Sequence, residues 1–475
     1  MNELALPTSH LRWLPYIVAA TFFMEYLDTT VIATALPQMA HSFRVGPNDL
    51  SLGMTAYMLT LAIFIPASGW VADRCGSRTV FLSAVLVFTG ASVLCGLSQS
   101  VPEFTAARLV QGIGGAMMVP VGRLIVVRST EKGRLMKAIS TITWPAIVAP
   151  VIGPPVGGFI TTYASWRWIF LLNVPFGIAV LAVIALIVPN LRDSGRRPLD
   201  LVGLILFALS LTGVQYGAEL ASQVDREPWI AAAIFATGLA VGGIAFWHVQ
   251  RHPHPILDVS MLKIPTFSVT VVTGSLTRIG IGAVPYLMPL LFQIGFGMSA
   301  FDSGLLLLAS ALGNLGMKAF TTRLLRRFGF RRVSIVDVIV AGIFTVLCGM
   351  LMPDSPLAWV LVVVFVYGAA RSMQFSTLAT LAYADVPQSR MTSANTLWSS
   401  AWQMTNGLGI AFGAVALRAA MSLRVTNARH VFTLMDFRLA FAAAGVLTML
   451  SVAGYFSLAK DAGESVGGGS RRPAC

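Results

Sequence analysis

The sequence predicts an all-α membrane protein, in which two bundles of six transmembrane helices flank two additional helices. Three observations predict this fold. The chain is 56% hydrophobic and only 11% charged, whereas a soluble domain has roughly 25% charged residues. Apolar windows of about 20 residues, long enough to cross a bilayer, recur along the chain. A short charged turn occurs at the same place in both halves.

The windows predict fourteen spans, and glycine and proline inside them are tolerated by membrane helices. They cover residues 14–35, 51–71, 79–97, 103–127, 138–161, 168–188, 201–218, 229–249, 266–291, 303–322, 333–352, 357–381, 393–417 and 438–458. The first window is too long for a cleavable signal peptide, and no small-residue cleavage site follows it. We therefore interpret it as the first transmembrane helix.

The placement of positive charge predicts the orientation. With a cytoplasmic N-terminus, the inner segments hold roughly three times as many Lys and Arg as the outer segments, as the positive-inside rule requires. We expect both termini in the cytoplasm of a bacterial inner membrane, with Arg418, Arg424 and Arg429 in the outer loop 418–437 as exceptions. This placement accounts for the net charge of +13 and argues against nucleic acid as a partner.

The two halves resemble each other. Residues 73–78 and 326–332 both form a charged turn between the second and third helices of their half. Such a repeat implies two bundles around a central site, as in alternating-access carriers. We predict an N-terminal bundle at 1–195, two additional transmembrane helices at 196–258, a C-terminal bundle at 259–462 and a flexible cytoplasmic tail at 463–475.

Two acids in the first span are candidate proton carriers. A carboxylate in hydrocarbon costs about 2.5–3.5 kcal/mol on insertion scales, so Asp28 marks a functional site by default. A rise of 1.5 Å per residue places Asp28 and Arg108 at the same depth, about 21–22 Å from the inner face. We hypothesise a state-dependent pair that gates protonation, with a static ion pair as the alternative. Glu25 shares the helix face of Asp28 and is a second proton carrier or a counter-charge for a cationic ligand.

Five motifs carry a family resemblance over nearly the whole chain. They are residues 27–37, 69–78, 108–116, 153–158 and 166–177. Together they resemble the major facilitator superfamily, and more narrowly its fourteen-helix drug–proton antiporters of the EmrB/QacA type, with the MdtD-like exporters as the nearest group. Ala33 stands where that group usually has Asn, and Ser140 and Ala149 replace glycines, so the match is partial there.

The resemblance implies roles for three groups of residues. Arg108 is linked to proton transfer together with the acids. A conformational latch comprises Gly69, Asp73, Arg74, Gly76 and Arg78, and the antiporter motif of the fifth helix comprises Gly153, Pro154, Gly157 and Gly158. For the latch, a plain topological stop of basic residues is the alternative.

The second half offers the pathway deep cations and few acids. We assign Arg278, Arg371, Gln374 and Asn395 to the substrate pathway, together with Glu25. The two arginines favour a cargo with carboxylate, phosphate or mixed charge, unless they cap carbonyls or bind lipid headgroups.

We therefore expect a proton-coupled exporter of multidrug or amphipathic small molecules, acting as a monomer without a cofactor. No phosphate-binding lysine loop of an ATP-driven pump occurs, and no nucleophile–base pattern of an enzyme is visible. The alternatives are an exporter of an anionic metabolite or metal chelate such as a carboxylate complex, an uncoupled facilitator, and a non-transporting sensor. We expect no metal site, because prolines end the helix at His248, His252 and His254.

Overall fold

The computed structural model describes residues 13–130, 132–188, 190, 198–222, 228–253, 255–387, 390–424, 432–459 and 462–463. All structural statements below refer to these residues. His254, Arg429, Cys475 and nearly all of the predicted tail 463–475 lie outside them, as do the side chains of Ser140 and Arg424.

Fourteen long helices lie within the described residues, one for each predicted span. They are α1 Leu14–Phe43, α2 Ser51–Cys75, α3 Ser77–Leu97, α4 Val101–Ser129, α5 Lys132–Tyr163, α6 Trp168–Ile187, α7 Leu201–Leu220, α8 Pro228–Arg251, α9 Pro265–Leu290, α10 Ala300–Phe328, α11 Phe330–Gly349, α12 Leu357–Ala384, α13 Met391–Arg424 and α14 Leu434–Tyr455. Helix α6 joins a turn at Trp168–Leu171 to a helix at Asn173–Ile187, and α14 ends with the turn Val452–Tyr455.

Thirteen of these helices are long and apolar enough to cross a membrane by length and composition. The remaining one, α5, has 32 residues and four internal prolines, and it packs along α1. The predicted all-helical membrane fold is confirmed.

The helix packing repeats in the two halves. In the first half α1 packs on α5, α2 on α4 and α3 on α6; in the second, α9 packs on α13, α10 on α12 and α11 on α14. The turns before α3 and α11 both contain a glycine with positive φ, Gly76 at 92° and Gly329 at 76°. That backbone conformation favours glycine, so the charged turns match in geometry as well as in sequence.

The two bundles meet through two equivalent contacts, α2 with α13 and α5 with α10. At the first contact, the Asn48 side-chain amide donates to the Ala414 carbonyl at 3.1 Å. At the second, a Cβ on Gly158 would lie 2.3 Å from the Ala300 carbonyl oxygen, and the Phe301 N–H donates to Thr162 at 3.1 Å.

All of these residues lie at the end of the molecule that the sequence predicts to face outward. We call this end the outer end and these inter-bundle contacts the outer gate. The two bundles are in contact at this end in the structure.

The additional helices α7 and α8 form an antiparallel pair. A Cβ on Gly213 would lie 2.7 Å from the Cα of Gly238, so the two backbones nearly touch. Helix α7 also packs against α2 and α13, one from each bundle. The pair is therefore attached at the junction of the bundles.

Candidate functional site: a buried charge network in the first bundle

Asp28 and Arg108 form a fully buried ion pair. The Arg108 Nη1 lies 2.5 Å from the Asp28 Oδ2, and each side chain is 1% exposed. The guanidinium also lies over the Tyr57 ring, 4.2 Å from its centroid. The structure thus brings together two residues 80 positions apart that the sequence places at the same depth.

Two amide side chains complete the shell of Asp28. Gln111 Nε2 and Asn173 Nδ2 both donate to Asp28 Oδ1, at 2.9 and 3.0 Å. Gln111 Oε1 in turn accepts from Arg108 at 2.7 Å, and both amides reach the Ser92 hydroxyl. The Asp28 carboxyl on α1 is thus held by donors from α4 and α6, and both amides are anchored on Ser92 of α3.

Glu25, one helical turn away, has a different environment. It is 6% exposed, and its Oε2 and the Tyr57 hydroxyl are buried without a hydrogen-bond partner among the described residues. A Cβ on Gly115 would lie 2.9 Å from that hydroxyl and 3.6 Å from the Glu25 carboxyl carbon. A buried carboxylate without a partner is costly, so Glu25 can bind a proton or a cationic group.

The glycines of α4 bring α4 close to its neighbours. A Cβ on Gly112 would lie 2.9 Å from the Tyr57 carbonyl oxygen on α2, and one on Gly114 would lie 2.7 Å from the Phe88 backbone nitrogen on α3. This tight packing fixes Arg108, one turn before Gly112, beside α1.

The predicted latch residues form contacts within the first bundle. Asp73 pairs with Arg128 of α4 at 3.0 Å, with both side chains about one-third exposed. Arg74 lies over the Trp70 ring at 5.3 Å, and Arg78 donates to the Ala185 carbonyl of α6. At Gly69 no helix approaches closely among the described residues, because nothing lies within 4 Å of a Cβ at this position.

The antiporter motif packs α5 against two helices. A Cβ on Gly153 would lie 2.1 Å from the Thr30 hydroxyl, and a Cβ on Gly157 would lie 2.6 Å from the Val31 carbonyl oxygen. Thr30 and Val31 are both on α1. Gly158 instead faces α10, and the Pro154 carbonyl oxygen lies close to Gly304 of α10. The motif therefore connects the helix that carries Asp28 to the outer gate.

Arg278 is buried in the second bundle, and no acid within the described residues pairs with it. It is 0% exposed, lies 4.5 and 5.5 Å from the rings of Trp398 and Trp402, and donates to Thr405 at 3.1 Å. Its Nη1 has no hydrogen-bond partner among the described residues. This aromatic-lined cation can accept an anionic group.

The other pathway residues are more dispersed. Arg371 lies over the Phe375 ring at 5.3 Å, and that ring contacts Trp402 edge to face, with the centroids 4.7 Å apart. Gln374 donates to the Tyr455 hydroxyl at 2.6 Å. Asn395 is not part of this group; it is exposed in the first turn of α13 and accepts from Tyr383 at 3.0 Å.

The histidine pair lies beside an acid that sequence reasoning missed. His248 bonds to Asp200 at 2.9 Å, and ligand atoms of His248, His252 and Asp200 lie within 4.8 Å of one another. Burial raises the pKa of Asp200, but hydrogen bonds from His248 and the Gly203 and Ile256 N–H groups outweigh it, so the net pKa is lowered. The cluster fastens the start of α7 to the end of α8.

Gln111, Ser92 and the two tryptophans were not predicted as site residues. Gln111 could have been found, because it lies at i+3 from Arg108 on the same helix face. Asn173 lies within the motif 166–177, but that motif does not indicate that its side chain contacts Asp28. Trp398 and Trp402 carry no sequence signal that separates them from ordinary interface aromatics.

Comparisons with known proteins agree with this architecture. The model of the major facilitator superfamily matches residues 18–414. The multidrug resistance protein MdtD of Serratia proteamaculans is 38% identical over 86% of this chain and 86% of its own length. MdtD of Pectobacterium carotovorum is 36% identical over 86% of this chain and 88% of its own.

Solved structures share the fold at low sequence identity. A peptide transporter of the POT family has a TM-score of 0.68 at 17% identity and covers 94% of this chain and 96% of its own. A D-xylose–proton symporter has a TM-score of 0.66 at 15% identity and covers 94% and 97%.

Proposed function

Because the chain belongs to the major facilitator superfamily, we propose that it is a proton-coupled antiporter that exports multidrug or amphipathic small molecules by alternating access. The observation that carries the proposal is the buried network of Asp28, Arg108 and Gln111 beside the unpartnered carboxyl of Glu25. The names of the MdtD relatives support the assignment to drug export.

The network supplies the two conditions that coupling needs. Asp28 has a counter-charge and amide donors that hold its ionised form in this conformation. Protonation would remove the charge that attracts Arg108, so helices α1 and α4 would separate more easily. Glu25 can hold a proton or a cationic cargo one turn away, which allows one site to exchange the two.

The closed outer gate fits an alternating-access cycle. In a bacterial inner membrane with both termini in the cytoplasm, closure at the outer end is the arrangement in which an exporter would load its cargo from the cytoplasm. Two equivalent inter-bundle contacts, α2 with α13 and α5 with α10, allow the bundles to rock about a central site. One chain contributes both bundles, so a monomer suffices.

One observation favours a second candidate cargo. Arg278 is a desolvated guanidinium without an acid beside it, and a carboxylate or phosphate could form paired hydrogen bonds with it. An anionic metabolite or a metal chelate of carboxylate type would fit there. A lipophilic cation would instead rely on Glu25 and on aromatic rings.

The test is transport by the purified chain in proteoliposomes with an imposed pH gradient, using matched cationic, anionic and neutral compounds. We expect cargo to move against its gradient only when the pH differs across the membrane. Asp28→Asn should abolish this movement, whereas Glu103→Gln, which changes an exposed acid at the outer end, should leave it intact. Transport that is indifferent to the pH gradient would contradict the proposal.

A further inference from the structure

A second buried acid lies outside the network described above. Glu219, in the last turn of α7, is 0% exposed. Its carboxylate contacts the Ser51 hydroxyl and, at 3.4 Å, the Thr55 hydroxyl, both in the first turns of α2. The additional helix pair is therefore bonded to the first bundle through an ionisable group.

This contact adjoins the outer gate. Ser51 lies three residues after Asn48, the residue whose side chain donates to the Ala414 carbonyl and accepts from the Tyr286 hydroxyl at 2.7 Å. Asn48 thus joins the first bundle to α9 and α13 of the second bundle. Glu219 is separated from this inter-bundle contact by the Ser51 side chain alone.

Helix α7 itself occupies the seam between the bundles. A Cβ on Gly407 of α13 would lie 2.8 Å from the Gln215 side chain of α7 and 3.2 Å from Met58 of α2. Gln215 precedes Glu219 by four residues, so both project from one face of α7. When the bundles separate at the outer end, the contacts of this face must break or slide.

The hydrogen bonds indicate which form of Glu219 the closed gate holds. A hydroxyl has one proton to donate. The Ser51 hydroxyl is 2.5 Å from the Asn48 carbonyl oxygen, and the Thr55 hydroxyl is 3.1 Å from the Leu52 carbonyl oxygen. If Ser51 donates to its carbonyl, it can only accept from Glu219, and the carboxyl must then supply a proton. The neutral acid has one proton and can donate it to Ser51, while Thr55, 3.4 Å from the other carboxyl oxygen, donates to Leu52 or to Glu219. An ionised carboxylate would instead compete with the Asn48 carbonyl for the Ser51 proton.

The surrounding charges agree with a neutral acid. Among the described residues, the titratable groups that face Glu219 are the Asp49 carboxylate before α2 and the Tyr286 hydroxyl on α9; the Arg418 guanidinium on α13 contacts the same end of α7. Arg418 is directed at the Ala221 carbonyl, 3.4 Å away, and in the described part of the chain no cation lies within ion-pair distance of Glu219. An ionised carboxylate buried there would lack a counter-charge and would be costly.

We propose that Glu219 is a proton-binding site of the outer gate and that α7 is a moving part of that gate. A proton from the outer solution neutralises the carboxylate, and the acid O–H is then donated to Ser51 as the gate closes. When the gate opens, the carboxyl meets water and releases the proton to it. This inference rests on the proposed alternating access, and it gives the additional helices a role in the cycle.

The first test is infrared spectroscopy of the full chain in lipid nanodiscs. The C=O stretching band of a protonated carboxyl should appear at pH 7 in the wild type and be absent from Glu219→Gln. The glutamine amide can donate to Ser51 as the neutral acid does, so this variant should fold and keep the gate closed. If the wild-type and Glu219→Gln spectra are identical in the carboxyl region, the proposal is overturned.

The second test measures the gate itself. Spin labels at Gln99 and Asp354, exposed positions in outer loops of the two bundles, report the opening by pulsed dipolar spectroscopy, with Cys75 and Cys475 replaced by serine. We expect the population with the longer distance to grow between pH 5.5 and pH 8.5 in the wild type and in the control Glu103→Gln. Glu219→Gln should remove most of this growth, and a pH response equal to the wild type would overturn the proposal.

The two proposals fail in different ways. Gradient-driven transport by Asp28→Asn contradicts the antiporter but leaves the Glu219 spectra interpretable. A transport defect in Asp28→Asn, combined with an unchanged gate response in Glu219→Gln, rejects only the role of Glu219.

Discussion

Replacing Arg108 with alanine should destabilise the protein by about 3–5 kcal/mol, the usual effect of leaving one charge of a buried pair without its partner. The pair is 1% exposed on both sides, with its atoms 2.5 Å apart. Gln111 and Asn173 still donate to Asp28 in the variant, so we expect the lower end of this range. Arg128→Ala is the matched control, because its ion pair with Asp73 is about one-third exposed and should contribute only about 0–1 kcal/mol.

The pairing itself is measured by a double-mutant cycle. Asp28→Asn alone leaves a buried guanidinium, whereas Asp28→Asn combined with Arg108→Ala leaves no charge. The double variant should therefore lose less stability than the sum of the single variants, by an interaction energy of about 0.5–3 kcal/mol. The assay is chemical unfolding of the purified chain in one detergent at fixed pH. Additive losses, or an Arg108→Ala loss no larger than that of Arg128→Ala, would refute the reasoning.

Three further predictions follow from other parts of the molecule. Arg278→Ala should weaken the binding of an anionic aromatic ligand at least tenfold and leave the binding of a matched cationic ligand unaffected. Titration calorimetry measures both affinities. An equal loss of affinity for the two ligands contradicts charge selectivity. Gly158→Ala places a Cβ 2.3 Å from the facing α10 carbonyl oxygen and should hold the outer gate open, whereas the control Gly69→Ala meets open space and should not. The assay is thiol labelling of cysteines introduced at the outer end. Equal labelling in the two variants argues against the gate. The lowered pKa of Asp200 means that its contribution to the free energy of unfolding is complete above about pH 4 and is lost as the pH falls through its folded value. Asp200→Asn should remove this loss of stability at acidic pH, as measured by the free energy of unfolding against pH. An unchanged pH dependence would show that the His248 contact is irrelevant to stability.

The sequence determined the fold because the bilayer imposes simple rules. Apolar length predicts a span, and all fourteen predicted spans correspond to helices of the structure. The charged turns at 73–78 and 326–332 predicted the internal repeat, which the helix pairing and the two positive-φ glycines bear out. The boundaries of the predicted bundles and the orientation in the membrane remain predictions.

The site was only partly accessible from sequence. The depth rule found Asp28 and Arg108 because a helix converts residue number into distance along one axis. It gives no information about rotation around that axis. Asn395 was assigned to the pathway by residue type, and the structure places it near the start of α13, bonded to Tyr383. Glu219 was overlooked for a related reason. Its contacts with Ser51 and Thr55 join segments more than 160 positions apart, and no periodicity reports such pairing.

The central claim is that cargo export is coupled to protons through Asp28. The most direct measurement uses proteoliposomes that contain a pH-sensitive dye and no initial pH gradient. An outward cargo gradient should drive protons in the opposite direction in the wild type, and Asp28→Asn should show no such proton movement. Equal proton movement in both proteins, or cargo movement without any proton movement in the wild type, would contradict the account.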